Sequence, residues 1–124
     1  MIIAGEFSFN GGREAVEEKY PHLLKEVKKA IGAVKASRHK TKKSSEKTMP
    51  GRLLYSPASL NKAFKKEFHG MGWINHKVKC EYPTDCYSRN YKARGLNKGA
   101  FRDMDFVKEK LGVEVQFGKY AFMV

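Results

Sequence analysis

Gly112-Val113-Glu114-Val115-Gln116-Phe117 alternates apolar and polar residues as a strand with one buried face does. Successive side chains of a strand point to opposite faces. Val113, Val115 and Phe117 are therefore predicted to enter a core, while Glu114 and Gln116 lie side by side on the other face. Asp105 precedes Glu114 by nine residues, with a charged turn at Lys108-Glu109-Lys110 between them. Two adjacent strands joined at that turn bring Asp105 beside Glu114. Carboxylates held together repel each other, and a cation between them relieves the repulsion. Their hard oxygens suit Mg²⁺, which binds a phosphate oxygen and lowers the pKa of a bound water. An acid pair at this spacing is also common on exposed strand faces, so the pattern alone leaves a metal site and a solvated surface both open.

Working outward from this stretch, residues 101–106 are read as the preceding strand. Residues 73–80 alternate, with Ile74, His76, Val78 and Cys80 on one side and Asn75, Lys77 and Lys79 on the other, which predicts another strand. Upstream of it, Ser56 is a good helix N-cap and Pro57 a good first helical residue. Leu60, Ala63, Phe64 and Phe68 then line one face, and Gly70 and Gly72 close the helix. Residues 13–34 read as helix in two pieces, Pro21 opening the second. Leu23, Leu24, Val27, Ile31 and Val34 give it an apolar face opposite Lys25, Lys28 and Lys29. Ile2, Ile3, Phe7 and Phe9 predict a short strand or an extended entry, ended by Gly11-Gly12. Residues 81–99 are polar, turn-rich and unassigned, and there is no internal repeat.

The 124 residues make one domain, and 41% hydrophobic with 31% charged residues fits a soluble globular class. No apolar run approaches the roughly 20 residues of a membrane span, and the first ten residues lack the pattern of a signal peptide. Two cysteines, Cys80 and Cys86, are expected as free thiols, which fits the cytoplasm.

The net charge of +12 is unevenly placed. Residues 1–20 carry −2, residues 21–80 carry +12 and residues 81–124 carry +2. The excess is densest from Lys35 to Arg52, a Lys/Ser/Thr-rich stretch ending at Pro50-Gly51 with almost no apolar periodicity. It is read as a mobile basic loop, with Lys40, Lys42, Lys43 and Lys47 as candidate DNA contacts that order on a polyanion by counterion release. A plain solvated linker is the alternative. Large apolar residues are not interleaved there, which disfavours a membrane surface.

Other signals are weaker. His76, Cys80 and Cys86 have no standard zinc spacing and lack an evident fourth ligand. Tyr82, Tyr87 and Tyr91 among Arg89, Lys92 and Arg94 suit base stacking, ordinary packing or a loop facing the DNA backbone equally well.

Three stretches resemble type II restriction endonucleases of the BglII/BstYI family, the BstYI branch most. They are Lys47-Thr48-Met49-Pro50-Gly51-Arg52-Leu53-Leu54-Tyr55-Ser56-Pro57 running into Leu60-Asn61-Lys62-Ala63-Phe64; Asp105-Phe106-Val107-Lys108; and Val113-Glu114-Val115-Gln116-Phe117-Gly118-Lys119-Tyr120 with Ala121-Phe122. The helix beginning Tyr20-Pro21-His22-Leu23 fits as well, while residues 74–102 do not align. Most nucleases of the wider PD-(D/E)XK superfamily end their motif in lysine. This subgroup carries Asp, eight residues, Glu, one residue, Gln, which Asp105, Glu114 and Gln116 match.

The resemblance implies an α/β fold, a mixed sheet flanked by helices. It implies Mg²⁺-dependent hydrolysis of double-stranded DNA at a palindrome centred on GATC, leaving 5′-phosphate ends. Asp105 and Glu114 would bind Mg²⁺, Gln116 would sit by the metal and attacking water, and Lys119 is a candidate to read a base edge, with a phosphate contact or simple solvation as the alternatives. It further implies a homodimer, since two-fold symmetry matches a palindrome, and a cognate DNA methyltransferase in the same system. Chains of the family continue past the catalytic strand, so residues 1–124 are expected to be the N-terminal part of a catalytic domain whose C-terminal part is missing. The alternatives are a non-enzymatic basic nucleic-acid-binding module and an inactive remnant of such an enzyme.

Overall fold

The computed structural model describes residues 1–80, 85, 87–91 and 100–117. Its helices are α1 (Gly12–Lys19), α2 (Pro21–Ala33) and α3 (Pro57–Gly70), with a short 3-10 turn at Ala36–His39. The strands are β1 (Lys42–Lys43), β2 (Leu53–Leu54), β3 (Ile74–Lys79), β4 (Phe101–Lys108) and β5 (Leu111–Val113). β1 pairs with β2, and β3-β4-β5 form a second sheet in that order. The mixed sheet that was expected is not seen among the described residues, where every strand pairing is antiparallel. No described helix is long and apolar enough to cross a membrane.

The two-piece helix follows from Pro21. Proline lacks an N–H and fixes φ, so it opens α2 where α1 stops at Tyr20. Ser56 caps α3 as its residue type predicts, its hydroxyl accepting from the Ser59 N–H at 3.3 Å. Gly72 follows α3 at φ +86°, a conformation that an L side chain strains to adopt.

The core is formed by Leu23, Ala30 and Val34 of the α2 region, Leu60, Phe64 and Phe68 of α3, Trp73, and Phe106 of β4. Phe68 is its hub. Its ring centroid lies 4.4 Å from that of Phe106 and 5.4 Å from that of Trp73, the latter edge to face. Burial of aromatic rings contributes roughly 1.5–3 kcal/mol each, so the β4–β5 unit is fixed on α3 mainly through Phe106.

The apolar face expected of α2 is present: Leu24, Val27 and Ile31 are half-buried, and Val27 and Ile31 pack against the core. With Ile3, Phe7, Phe9 and Val16 they line a cavity of about 600 Å³ between the N-terminal segment and α1–α2. Of the two readings of that segment, short strand or extended entry, it forms no strand, and Phe7 and Phe9 are exposed. The stretch read as a mobile basic loop contains an ordered hairpin, in which Lys42 faces Leu54 and Lys43 faces Leu53. Main-chain bonds close it, Ser44 N–H to Arg52 O at 2.8 Å and Gly51 N–H to Ser44 O at 3.0 Å. The turn uses Gly51 at φ +72°, and Ser44 is buried. β3 shows no buried face, its six residues all being exposed.

Candidate active site

The site is built on the β4–β5 hairpin. Lys108 pairs with Leu111, Val107 with Gly112 and Phe106 with Val113. Only Glu109 and Lys110 lie in the turn, and Glu109 takes the left-handed conformation that so short a connection needs, at φ 54°. One further step along this register sets Asp105 opposite Glu114, as the sequence suggested.

The ladder stops at Val113, earlier than the predicted strand of residues 112–117. Beyond it a side chain replaces the main-chain partner. The Val115 N–H donates to Oδ2 of Asp105 at 2.9 Å. The alternation of faces nevertheless persists. Val113, Val115 and Phe117 are half-buried against the core, while Glu114 and Gln116 are exposed.

Asp105 lies at an irregularity. Ile74 of β3 pairs with Val107 and His76 pairs with Met104, so Asn75 alone faces both Asp105 and Phe106. Two residues opposing one define a β-bulge, a device that bends a strand and re-aims its side chains. Here the bulge sends Phe106 into the core and leaves Asp105 at the Glu114 end of the hairpin.

The electrostatics follow from this placement. The Glu114 carboxyl is held above the ordinary carboxylate range by loss of hydration and next by the charge of Asp105. Hydrogen bonding with the Asp105 carboxyl and the charge of Asp103 push the same way, while the Asp105 main-chain N–H opposes them. A carboxyl that resists ionising beside another is a place where a divalent cation gains by binding. The donor set fits a hard metal, since it consists of carboxylate oxygens. No group of three or more His, Cys, Asp or Glu side chains in ligating array occurs among the described residues. Protein ligation would therefore rest on the Asp105–Glu114 pair, with water filling the remaining positions, as is usual for Mg²⁺.

Gln116 follows Glu114 by two residues and is exposed on the same side of the segment. Lys119 lies outside the described residues, as do Tyr82 and Cys86. Lys40, Lys42, Lys43 and Lys47 are all exposed, on or beside the β1–β2 hairpin. Lys40 also lies over the Tyr55 ring, 5.8 Å from its centroid.

Two neighbours of the pair escaped the sequence reading. Asp103 accepts a hydrogen bond from Asn75 and adds to the field on Glu114. Its spacing from Asp105, two residues along one strand, was the available signal. Lys108 anchors the hairpin to α2 through Glu26, a contact between residues far apart in the chain that no local pattern reveals.

A family model described as restriction endonuclease BglII/BglIII matches residues 4–124. A search of curated proteins finds no match.

Proposed function

The chain belongs to the restriction endonuclease BglII/BglIII family, and from that premise we propose that it hydrolyses double-stranded DNA in a Mg²⁺-dependent reaction with Asp105 and Glu114 as the working carboxylates. The family is one of site-specific DNA-cutting enzymes. What supports the finer reading is the hairpin register, Phe106 opposite Val113, whose continuation sets Asp105 beside Glu114, where the charge of Asp105 acts on the Glu114 carboxyl.

In this reading Asp105 and Glu114 hold the metal. When bound, Mg²⁺ supplies a Lewis acid for a phosphate oxygen and a water of lowered pKa. The Gln116 side chain, two residues further on, is within the same face to orient that water. Water oxygen forms the new bond to phosphorus, the P–O3′ bond breaks, and the products carry a 5′-phosphate and a 3′-hydroxyl. The exposed lysines 40, 42, 43 and 47 contact backbone phosphates, and Lys119 contributes a base-edge or phosphate contact. A GATC-centred palindrome is the proposed site, cut by a homodimer with one strand per subunit. A cognate methyltransferase is the proposed companion that protects the host's own sites.

Cleavage of unmethylated plasmid tests this reading. With Mg²⁺ the chain should give discrete fragments ending at GATC-centred sites, and none with EDTA or in Asp105→Ala. Fragments that persist in Asp105→Ala would remove the assigned role. DNA binding without any cutting would favour a binding module.

A further inference from the structure

We propose that Asn75 is a positioning residue, its side-chain amide pinning the β4 bulge that presents Asp105 to Glu114. The proposal rests on the reading of Asp105 as a working carboxylate, and its structural half can be tested separately.

The register carries the argument. Asn75 is the single β3 residue opposite the two bulge residues, Asp105 and Phe106. A bulge interrupts the regular ladder, so the strand is held there by fewer main-chain bonds than elsewhere. The Asn75 Nδ2 amide compensates with two hydrogen bonds to the bulged strand. It donates to the Met104 main-chain oxygen at 3.0 Å and to Oδ1 of Asp103. A side-chain amide has two N–H donors, so both bonds form at once. Together they grip the two residues immediately before Asp105.

The other side of the same strand is gripped by packing. Met104 lies against Gly112 of β5, where an added Cβ would meet Met104 Sδ at 3.1 Å and Cε at 3.2 Å. Phe106, on the far side of Asp105, is locked in the core against Phe68. Asp105 is thus fixed on both flanks, and among the described residues the Asn75 amide is the polar grip on β4 from opposite the bulge. Asp105 in turn holds the Val115 N–H at 2.9 Å, so the position of Glu114 depends on the same chain of contacts.

The test uses the whole chain and two readouts. The first is hydrogen exchange of the Val115 amide followed by NMR without metal. In Asn75→Ala, Val115 should exchange about tenfold faster or more, while the Phe106 and Val113 amides in the adjoining ladder keep their protection. Asn75→Asp keeps the size of the side chain and abolishes the donors, and it should do the same. The second readout is plasmid cleavage with Mg²⁺. Misplacing a working group by about 1 Å costs roughly 100-fold, so kcat should fall roughly 10- to 100-fold while KM for DNA changes little. In the wild type itself the Asn75 side-chain amide protons should exchange slowly, a measurement that needs no variant. Unchanged Val115 protection in Asn75→Ala, or freely exchanging Asn75 amide protons, would overturn the proposal. A rise in KM with kcat intact would overturn it too, by making Asn75 a DNA contact. If the wild type does not cut DNA, the catalytic reading fails while the exchange experiment still decides whether Asn75 holds the bulge.

Discussion

Lys108 grips both carboxylate oxygens of Glu26, at 2.8 and 2.9 Å, and this pair ties the β4–β5 hairpin to α2. Lys108 also donates to the Met71 main-chain oxygen at 2.6 Å, and the Trp73 indole N–H donates to Glu26 at 2.7 Å. Both side chains of the ion pair are largely withdrawn from solvent, at 27% and 28% exposure. Removing the cation would leave a half-buried carboxylate with one donor. Lys108→Met should therefore cost on the order of 2 kcal/mol, as for hydrogen bonds to charged groups, read as a lower midpoint in urea unfolding.

The same contact predicts a pH dependence. The hydrogen bond from Lys108 holds the Glu26 carboxyl below the ordinary range, outweighing burial, with Trp73 adding to it. A depressed folded-state pKa stabilises above the unfolded value, near 4.5, and that stabilisation is lost as pH falls through the folded value. The difference in stability between wild type and Lys108→Met should stay level from about pH 5 upward and shrink below about pH 4.5, by the linkage of proton binding to folding. A gap that persists unchanged at pH 3 would mean that packing of the lysine stem, not its charge, is what matters.

Glu114 behaves in the opposite sense. Its raised folded-state pKa favours the fold while the carboxyl is protonated, and that advantage is lost as pH rises through the folded value. Glu114→Gln should therefore raise the thermal midpoint at neutral pH in EDTA and have little effect near pH 4. Mg²⁺ at ten times its Kd should stabilise the wild type by roughly 1.4 kcal/mol and leave the variant almost unmoved. Equal Mg²⁺ responses in the two proteins would place the metal elsewhere.

Cutting and binding should separate. Loss of a metal ligand removes several kcal/mol of transition-state stabilisation, and each 1.36 kcal/mol is tenfold in rate. Asp105→Ala and Glu114→Ala should each slow cleavage at least about 1000-fold, while affinity for DNA measured by gel shift stays within a few-fold. Parallel loss of binding and cutting would show that the pair holds the fold or the DNA rather than the chemistry.

The basic hairpin makes a prediction about salt. Each phosphate neutralised contributes about −0.9 to the slope of log affinity against log salt concentration. Replacing lysines 40, 42, 43 and 47 together by alanine should flatten that slope by up to roughly 3.6, in titrations across a range of NaCl. An unchanged slope would identify these lysines as a solvated face.

Where local chemistry decides structure, the chain was readable. Pro21 and Ser56-Pro57 open helices because of what proline and a short hydroxyl do to a helix start. The alternation from Val113 to Phe117 gave the correct faces, since apolar residues two apart in extended chain are buried together. Asp105 and Glu114 lie near one another as the charged turn suggested, although Lys108 belongs to the ladder and the turn is only Glu109-Lys110. The β1–β2 hairpin escaped because two lysines paired to two leucines carry no periodicity, and only the Ser44–Arg52 and Ser44–Gly51 contacts reveal it. The bulge escaped for a related reason. Nothing in Met104-Asp105-Phe106 marks an additional residue until β3 supplies the opposing register.

The Val115–Asp105 contact has a last consequence. Glu114 sits in a segment that has left the ladder, held by the packing of Val115 and Phe117 against the core and by the hydrogen bond of the Val115 N–H to the carboxylate of Asp105. In the proposed reading one side chain would thus serve both as a working carboxylate and as a mooring for the residue next to the other. Effects at the two positions should then be strongly non-additive. Once Asp105 is gone, Glu114 loses that mooring, and deleting it as well should cost little more. Failure at residue 105 is therefore complete in one step, with no half-working form in between.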